Sequence, residues 1–142
     1  MGEIVHSQPT PRCARVALSF LALVALAPAG CAAPAISEAE LVGTWAVSQS
    51  PAGVPPEFAM ATIEFTDEYA FTGAGCNGAG GGYSVRGNSI RIGSWSATEV
   101  GCDPKLHEVE DLLYSGFTDL TIEGEEIVMP TSAGEARFIR ED

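Results

Sequence analysis

Cys76, Cys102 and His107 are the side chains of this sequence with the clearest chemical options. A thiolate beside an imidazole base is an acyl-transfer nucleophile, whereas two cysteines each next to a glycine, as in Gly75-Cys76 and Gly101-Cys102, can staple two loops together. The compartment bears on that choice. Cys13 and Cys31 flank an apolar run over residues 16–27 that follows Arg12 and Arg15, the layout of a signal peptide. The run is too short for a bilayer span, which needs about 20 apolar residues. Small residues, Ala29-Gly30, precede Cys31 as in a bacterial lipobox, so Cys31 is expected to be lipidated and to begin the mature chain. Pro28 departs from that pattern, since a branched residue is preferred three positions before the cysteine, and a plain secreted protein is the alternative.

An exported chain is oxidising territory, and Cys76 and Cys102 are the pair left once the leader and the lipid site are set aside. A disulfide between them closes a loop of about 26 residues and is worth up to about 3.5 kcal/mol in the chain-entropy model. On the competing thiol-enzyme reading His107 would be the base, but on a helix face it reads as surface decoration, so no catalytic residue is assigned. The glycine-rich run over residues 73–82 lacks the Lys-Ser/Thr ending of a phosphate-binding loop, and no helical pattern follows it. Its glycines are expected to allow positive φ and a tight crossing of strands, with Asn77 capping the turn. One histidine beyond the leader and no calcium-loop spacing give no metal site and no cofactor. Glu123, Glu125 and Glu126 read as solvated charge at a turn, and a carboxylate pair for glycoside chemistry has no specific signature here.

The chain has 142 residues with 19 acidic against 7 basic, a net charge of −12, and loss of Glu3, Arg12 and Arg15 with the leader makes it more negative still. Nucleic acid and anionic lipid are therefore excluded as partners of the protein surface. Membrane attachment would come from the lipid anchor alone. The expected organisation is a signal peptide at 1–30, a tether at 31–40 reaching roughly 30 Å, and one domain at 41–142.

The elements that must position these residues are mostly strands. Ala61, Ile63 and Phe65 alternate with polar residues before a turn at Asp67-Glu68, and Ile90, Ile92 and Trp95 follow a turn at Gly87-Asn88. Leu120 and Ile122 face Ile127 and Met129 across Gly124-Glu125, and in a last strand Phe138 and Ile139 cannot both face inward. Residues 48–58, rich in proline, read as a loop. One segment changes period. Leu106, Val109, Leu112, Leu113 and Phe117 fall at helical spacing, with Asp103 as N-cap, Pro104 in the first turn and Gly116 as terminator. Glu108 and Asp111 lie off this stripe and read as a solvated face. The expected fold is α+β, mainly β: a small curled antiparallel sheet or cracked barrel of six to seven strands with one packed helix.

The ordered set Leu41-Val42-Gly43-Thr44-Trp45, Gly75-Cys76-Asn77, Gly82-Tyr83, Thr98-Glu99-Val100-Gly101-Cys102 and Glu110 resembles the META domain family of the HslJ-like heat-shock lipoproteins, over about residues 41–140. The resemblance implies a small barrel-like sheet with a helix, exported and often lipid-anchored, without established enzymatic activity. It also implies links to heat shock, antibiotic tolerance and, in a protozoan relative, virulence. It marks Gly43, Trp45, Gly75, Tyr83, Cys76, Asn77, Thr98, Cys102 and Glu110. The last five have expected roles as staple, turn cap, strand-end hydrogen bonder, second staple half and helix anchor. Gly78 and Glu99 stand where the family often has basic residues, which puts in doubt any function needing those charges. The expected function is a non-enzymatic, monomeric envelope protein, anchored at Cys31, that supports stress tolerance or envelope integrity by binding another envelope protein. The alternative is a carrier of an acyl chain or hydrophobic peptide inside the barrel.

Overall fold

The computed structural model describes residues 36–142. The signal peptide, Cys31 and the first half of the tether lie outside the described residues. Period-two alternation resolves into eight strands: β1 (Gly43–Gln49), β2 (Thr62–Phe65), β3 (Tyr69–Gly73), β4 (Gly78–Arg86), β5 (Ser89–Ala97), β6 (Asp119–Glu123), β7 (Glu126–Thr131) and β8 (Gly134–Arg140). Each pairs antiparallel with the next, and β8 returns to β1 through pairs such as Val47↔Phe138, closing a barrel in the order β1 to β8. The expected curled or cracked sheet of six to seven strands is thus corrected to a closed barrel of eight.

Only the Ser84-Val85 end of β4 has a strand's pattern, and the glycine-rich run hides the rest of its length. Glycine is a poor strand former, so residues 78–82 lack a strand's signature, yet they form the first half of β4. Their glycines answer to crowding. A Cβ on Gly80 would lie 2.4 Å from the Phe71 ring, and one on Gly81 would lie 2.8 Å from the Ser94 carbonyl oxygen. Within the run 73–82 only Gly75 has positive φ, at 98°, in the turn between β3 and β4.

Inside the barrel the inward faces meet as one core, with Trp45, Ile63, Phe65, Ile127, Met129 and Phe138 almost wholly buried. Phe138 points in and its neighbour Ile139 is 47% exposed, as a regular strand requires. The end of the tether forms a short helix, α1 (Glu38–Leu41), whose last carbonyl accepts a 2.8 Å bond from the Trp45 indole. The proline-rich loop holds a 3-10 helix (Pro56–Met60) that buries Phe58. Two of the three turn acids are paired: Arg137 reaches Glu123 at 2.9 Å and Glu126 at 3.1 Å, tying β8 to β6 and β7. Those hydrogen bonds raise the Arg137 pKa above its ordinary value.

The helix α2 (Pro104–Gly116) starts where its cap chemistry places it, with the Asp103 carboxylate accepting from the Lys105 N–H at 2.9 Å. It touches β3 and β7, which stand on opposite sides of an eight-strand barrel, so it lies across one end. Val109, Leu113 and the following Phe117 are buried there, while Glu108 and Asp111 face solvent. The helix ends at Gly116, as expected, and this glycine has a second role. It is the last helical residue and lets the helix approach β7, since a Cβ there would meet the Pro130 carbonyl oxygen at 2.6 Å.

Candidate functional site

The marked residues Cys76, Asn77, Thr98, Cys102 and Glu110 converge where the β3–β4 turn, the segment after β5 and α2 meet. Asn77 is the centre of the cluster. Its backbone N–H donates to Glu110 Oε1 at 2.6 Å, and its side-chain Nδ2 donates to Glu110 Oε2 at 3.1 Å and to the Val100 carbonyl at 3.0 Å. Its Oδ1 accepts from the Val100 N–H at 2.7 Å and from the Thr98 hydroxyl at 3.1 Å. Thr98 Oγ1 in turn accepts from the Gly78 N–H at 3.2 Å. Asn77 and Glu110 are both buried, and bonding of this density is what makes their burial tolerable.

A disulfide joins Cys76 to Cys102, with Cα atoms 6.2 Å apart, so the turn carrying Asn77 is tied covalently to the residue before the helix cap. His107 is more than surface decoration. Its Nε2 accepts the Cys102 N–H at 3.2 Å, and its Nδ1 stands 3.3 Å from Glu110 Oε2. Accepting through Nε2 places the ring proton on Nδ1, facing the carboxylate. The i,i+3 spacing of His107 and Glu110 on a helix was the available signal for this contact.

These bonds limit the chemistry available. Sulfur in a disulfide is neither nucleophile nor thiolate ligand. The two sulfurs and the Glu110 carboxylate lie within 4.8 Å of one another, but the sulfurs hold each other and both carboxylate oxygens are engaged, so the donor set does not suit a metal. Three other marked residues stand apart from the cluster. Gly43, at φ 136°, faces the Arg140 guanidinium; Trp45 fills the core; and the Tyr83 hydroxyl donates to the Thr66 carbonyl at 2.8 Å while its ring packs edge-on against Phe65. Gly75 supplies the positive φ that turns the chain into Cys76.

Beside the cluster opens a groove of about 600 Å³ between the end of β5 and α2. Trp95 lies in it with its ring 5.5 Å from Tyr114 and 6.4 Å from Phe117. Burial, and then the charges of Glu110 and Asp111, push the Tyr114 phenol above its ordinary pKa. Its hydroxyl is buried with no hydrogen-bond partner among the described residues. Sequence reasoning had no means to place Trp95 and Tyr114 together here.

A protein from Burkholderia xenovorans, solved by NMR, has a similar fold: TM-score 0.52 at 15% identity, over 85% of this chain and 99% of that one. No curated protein matches the chain. The META domain family model matches residues 39–142, which takes in the whole barrel, the disulfide and the Asn77–Glu110 cluster. The chain belongs to the META domain family.

Proposed function

We propose that this META domain is a non-enzymatic binding module of the bacterial cell envelope, anchored through a lipid on Cys31, that supports stress tolerance or envelope integrity by engaging a partner protein on its surface. One observation carries the reading: every polar side chain of the Asn77–Glu110 cluster is committed to holding loops together, and the space beside it is an open groove. A catalytic site needs groups free to act on substrate. The carrier alternative is disfavoured by packing, because Trp45, Phe65, Met129 and Phe138 occupy the barrel interior where an acyl chain would have to lie.

The test is capture of partners from envelope extracts with the full, lipidated chain, alongside a deletion strain under heat and antibiotic stress. A specific partner and a stress-sensitive deletion are expected. Repeated capture of nothing, with a deletion strain indistinguishable from its parent, overturns the proposal.

A further inference from the structure

Strand β5 runs beside β4 along its length, with one register shift, while its other edge runs out of partner. Against β4 it is paired from Ser89 to Ile92 and again from Trp95 to Ala97, with the register shift at Gly93-Ser94 between them. Against β6 it pairs only through Ser89, Ile90 and Arg91, with one more bond from the Ile92 N–H to the Thr118 carbonyl at 2.9 Å. From Gly93 to Ala97 no strand among the described residues lies on that edge, and the groove opens along it.

In an antiparallel ladder successive residues turn their main-chain groups to alternate sides. The Thr98 N–H donates to the Gly78 carbonyl at 3.0 Å, so Thr98 and Ser96 face β4. Trp95 and Ala97 therefore present N–H and C=O to the groove. An unpaired edge of this kind is a template for an added strand.

The surroundings select the chemistry of that strand. Glu99 and Asp111 are exposed at the groove, Glu110 lies beneath, and neither lysine nor arginine lines it. Trp95, 36% exposed, offers an aromatic face beside these acids. Carboxylates next to an indole favour a cationic side chain with an aliphatic stem.

We infer that the groove between β5 and α2 binds an extended, basic segment of a partner protein, which adds as a short strand on the Trp95–Ala97 edge and sets its lysine or arginine side chains against Glu99, Asp111 and Trp95. This rests on the partner-binding reading above and assigns it a face and a chemistry. Five edge residues accommodate a segment of roughly 16 Å.

The probe is a synthetic peptide of alternating Lys and Val, compared with its Glu-Val counterpart, read by fluorescence anisotropy and by amide hydrogen exchange on the full chain. In the free protein the Trp95 and Ala97 amides exchange fast and those of Ser96 and Thr98 slowly. The basic peptide slows Trp95 and Ala97 at least roughly tenfold, the acidic peptide does not, and the Glu99→Lys/Asp111→Lys variant loses roughly tenfold in affinity for the basic one. Ala97→Pro, which removes an outward donor and leaves the Ser96 and Thr98 bonds to β4, weakens binding further. Absence of binding, binding that leaves those two amides unprotected, or equal binding by the charge-reversed variant overturns the inference. Envelope capture with the charge-reversed chain separates it from the broader proposal. A partner kept by both chains sinks the groove assignment alone, one lost only by the variant supports it, and none with either sinks the binding reading itself.

Discussion

Replacing Glu110 tests whether the buried cluster holds the β3–β4 turn to α2. In Glu110→Ala the backbone N–H of Asn77, which has a 2.6 Å bond to Oε1, becomes an unmet buried donor, and Nδ2 loses its 3.1 Å bond to Oε2. An unsatisfied buried group costs about 1–3 kcal/mol and a lost bond to a charged group about 1.5–3. The half-exposed His107 can turn to water and adds little. The expected loss is about 3 kcal/mol, a large share of the roughly 5–15 kcal/mol that holds a domain together. In thermal unfolding this is a fall in Tm of roughly 12–15 °C for a domain of this size. Glu110→Gln is the sharper variant, because the side chain keeps its size. In either orientation its amide nitrogen meets a donor of Asn77, so about 2 kcal/mol should still be lost. The double variant with Asn77→Ala should cost less than the sum of the single changes, since both remove the bond from Asn77 Nδ2 to Glu110 Oε2, whereas the backbone N–H of residue 77 survives in Asn77→Ala. A Gln variant within about 0.5 kcal/mol of the parent in urea unfolding, or strict additivity, would refute the reasoning.

Reducing the Cys76–Cys102 disulfide, or changing both cysteines to serine, should lower stability by up to about 3.5 kcal/mol, read from urea midpoints with and without reductant. Gly116→Ala should destabilise by about 1–3 kcal/mol despite alanine's better helix propensity, because the new methyl meets the Pro130 carbonyl oxygen. Gly80→Ala should cost less, since the exposed Phe71 ring can swing aside, and thermal melts of the two variants give the comparison. Tyr114 titrates above its unfolded value, so its contribution is complete below about pH 10 and is lost as pH rises through the higher folded pKa. Ultraviolet titration should show a late phenolate step that is lost in Tyr114→Phe. That variant should match or exceed the parent in stability at neutral pH, because it removes an unpartnered hydroxyl.

Much of the hairpin plan could be read from local pattern. The turns at Asp67-Glu68, Gly87-Asn88 and Gly124-Glu125 lie between paired strands, and α2 begins after Asp103. Each of these depends on residues adjacent in the chain. Closure of the barrel depends on β1 meeting β8, a pairing of distant segments that no local period encodes. The length of the glycine strand was hidden because its residues answer to the Phe71 ring on β3 and to the close approach of the β5 backbone at Ser94 and Trp95. Trp95 sits out of step with Ile90 and Ile92, and the register shift in the β4–β5 pairing absorbs the extra residue. Cys76, Asn77, Thr98, Cys102 and Glu110 were legible as a set, whereas the groove beside them arises from β5 outrunning β6, a difference in strand length visible only after assembly.

The Asn77 carboxamide bonds both the N–H and the C=O of Val100, as a peptide group of a neighbouring strand would. What it grips at position 100 is backbone alone, and Val100 itself is largely exposed at the lip of the groove. Position 100 should therefore accept almost any residue except proline, which lacks the required N–H. Glu99, exposed beside it, has similar latitude. A lineage could rewrite the lip of the groove, and with it the choice of partner, while the fastening beneath stayed as it is.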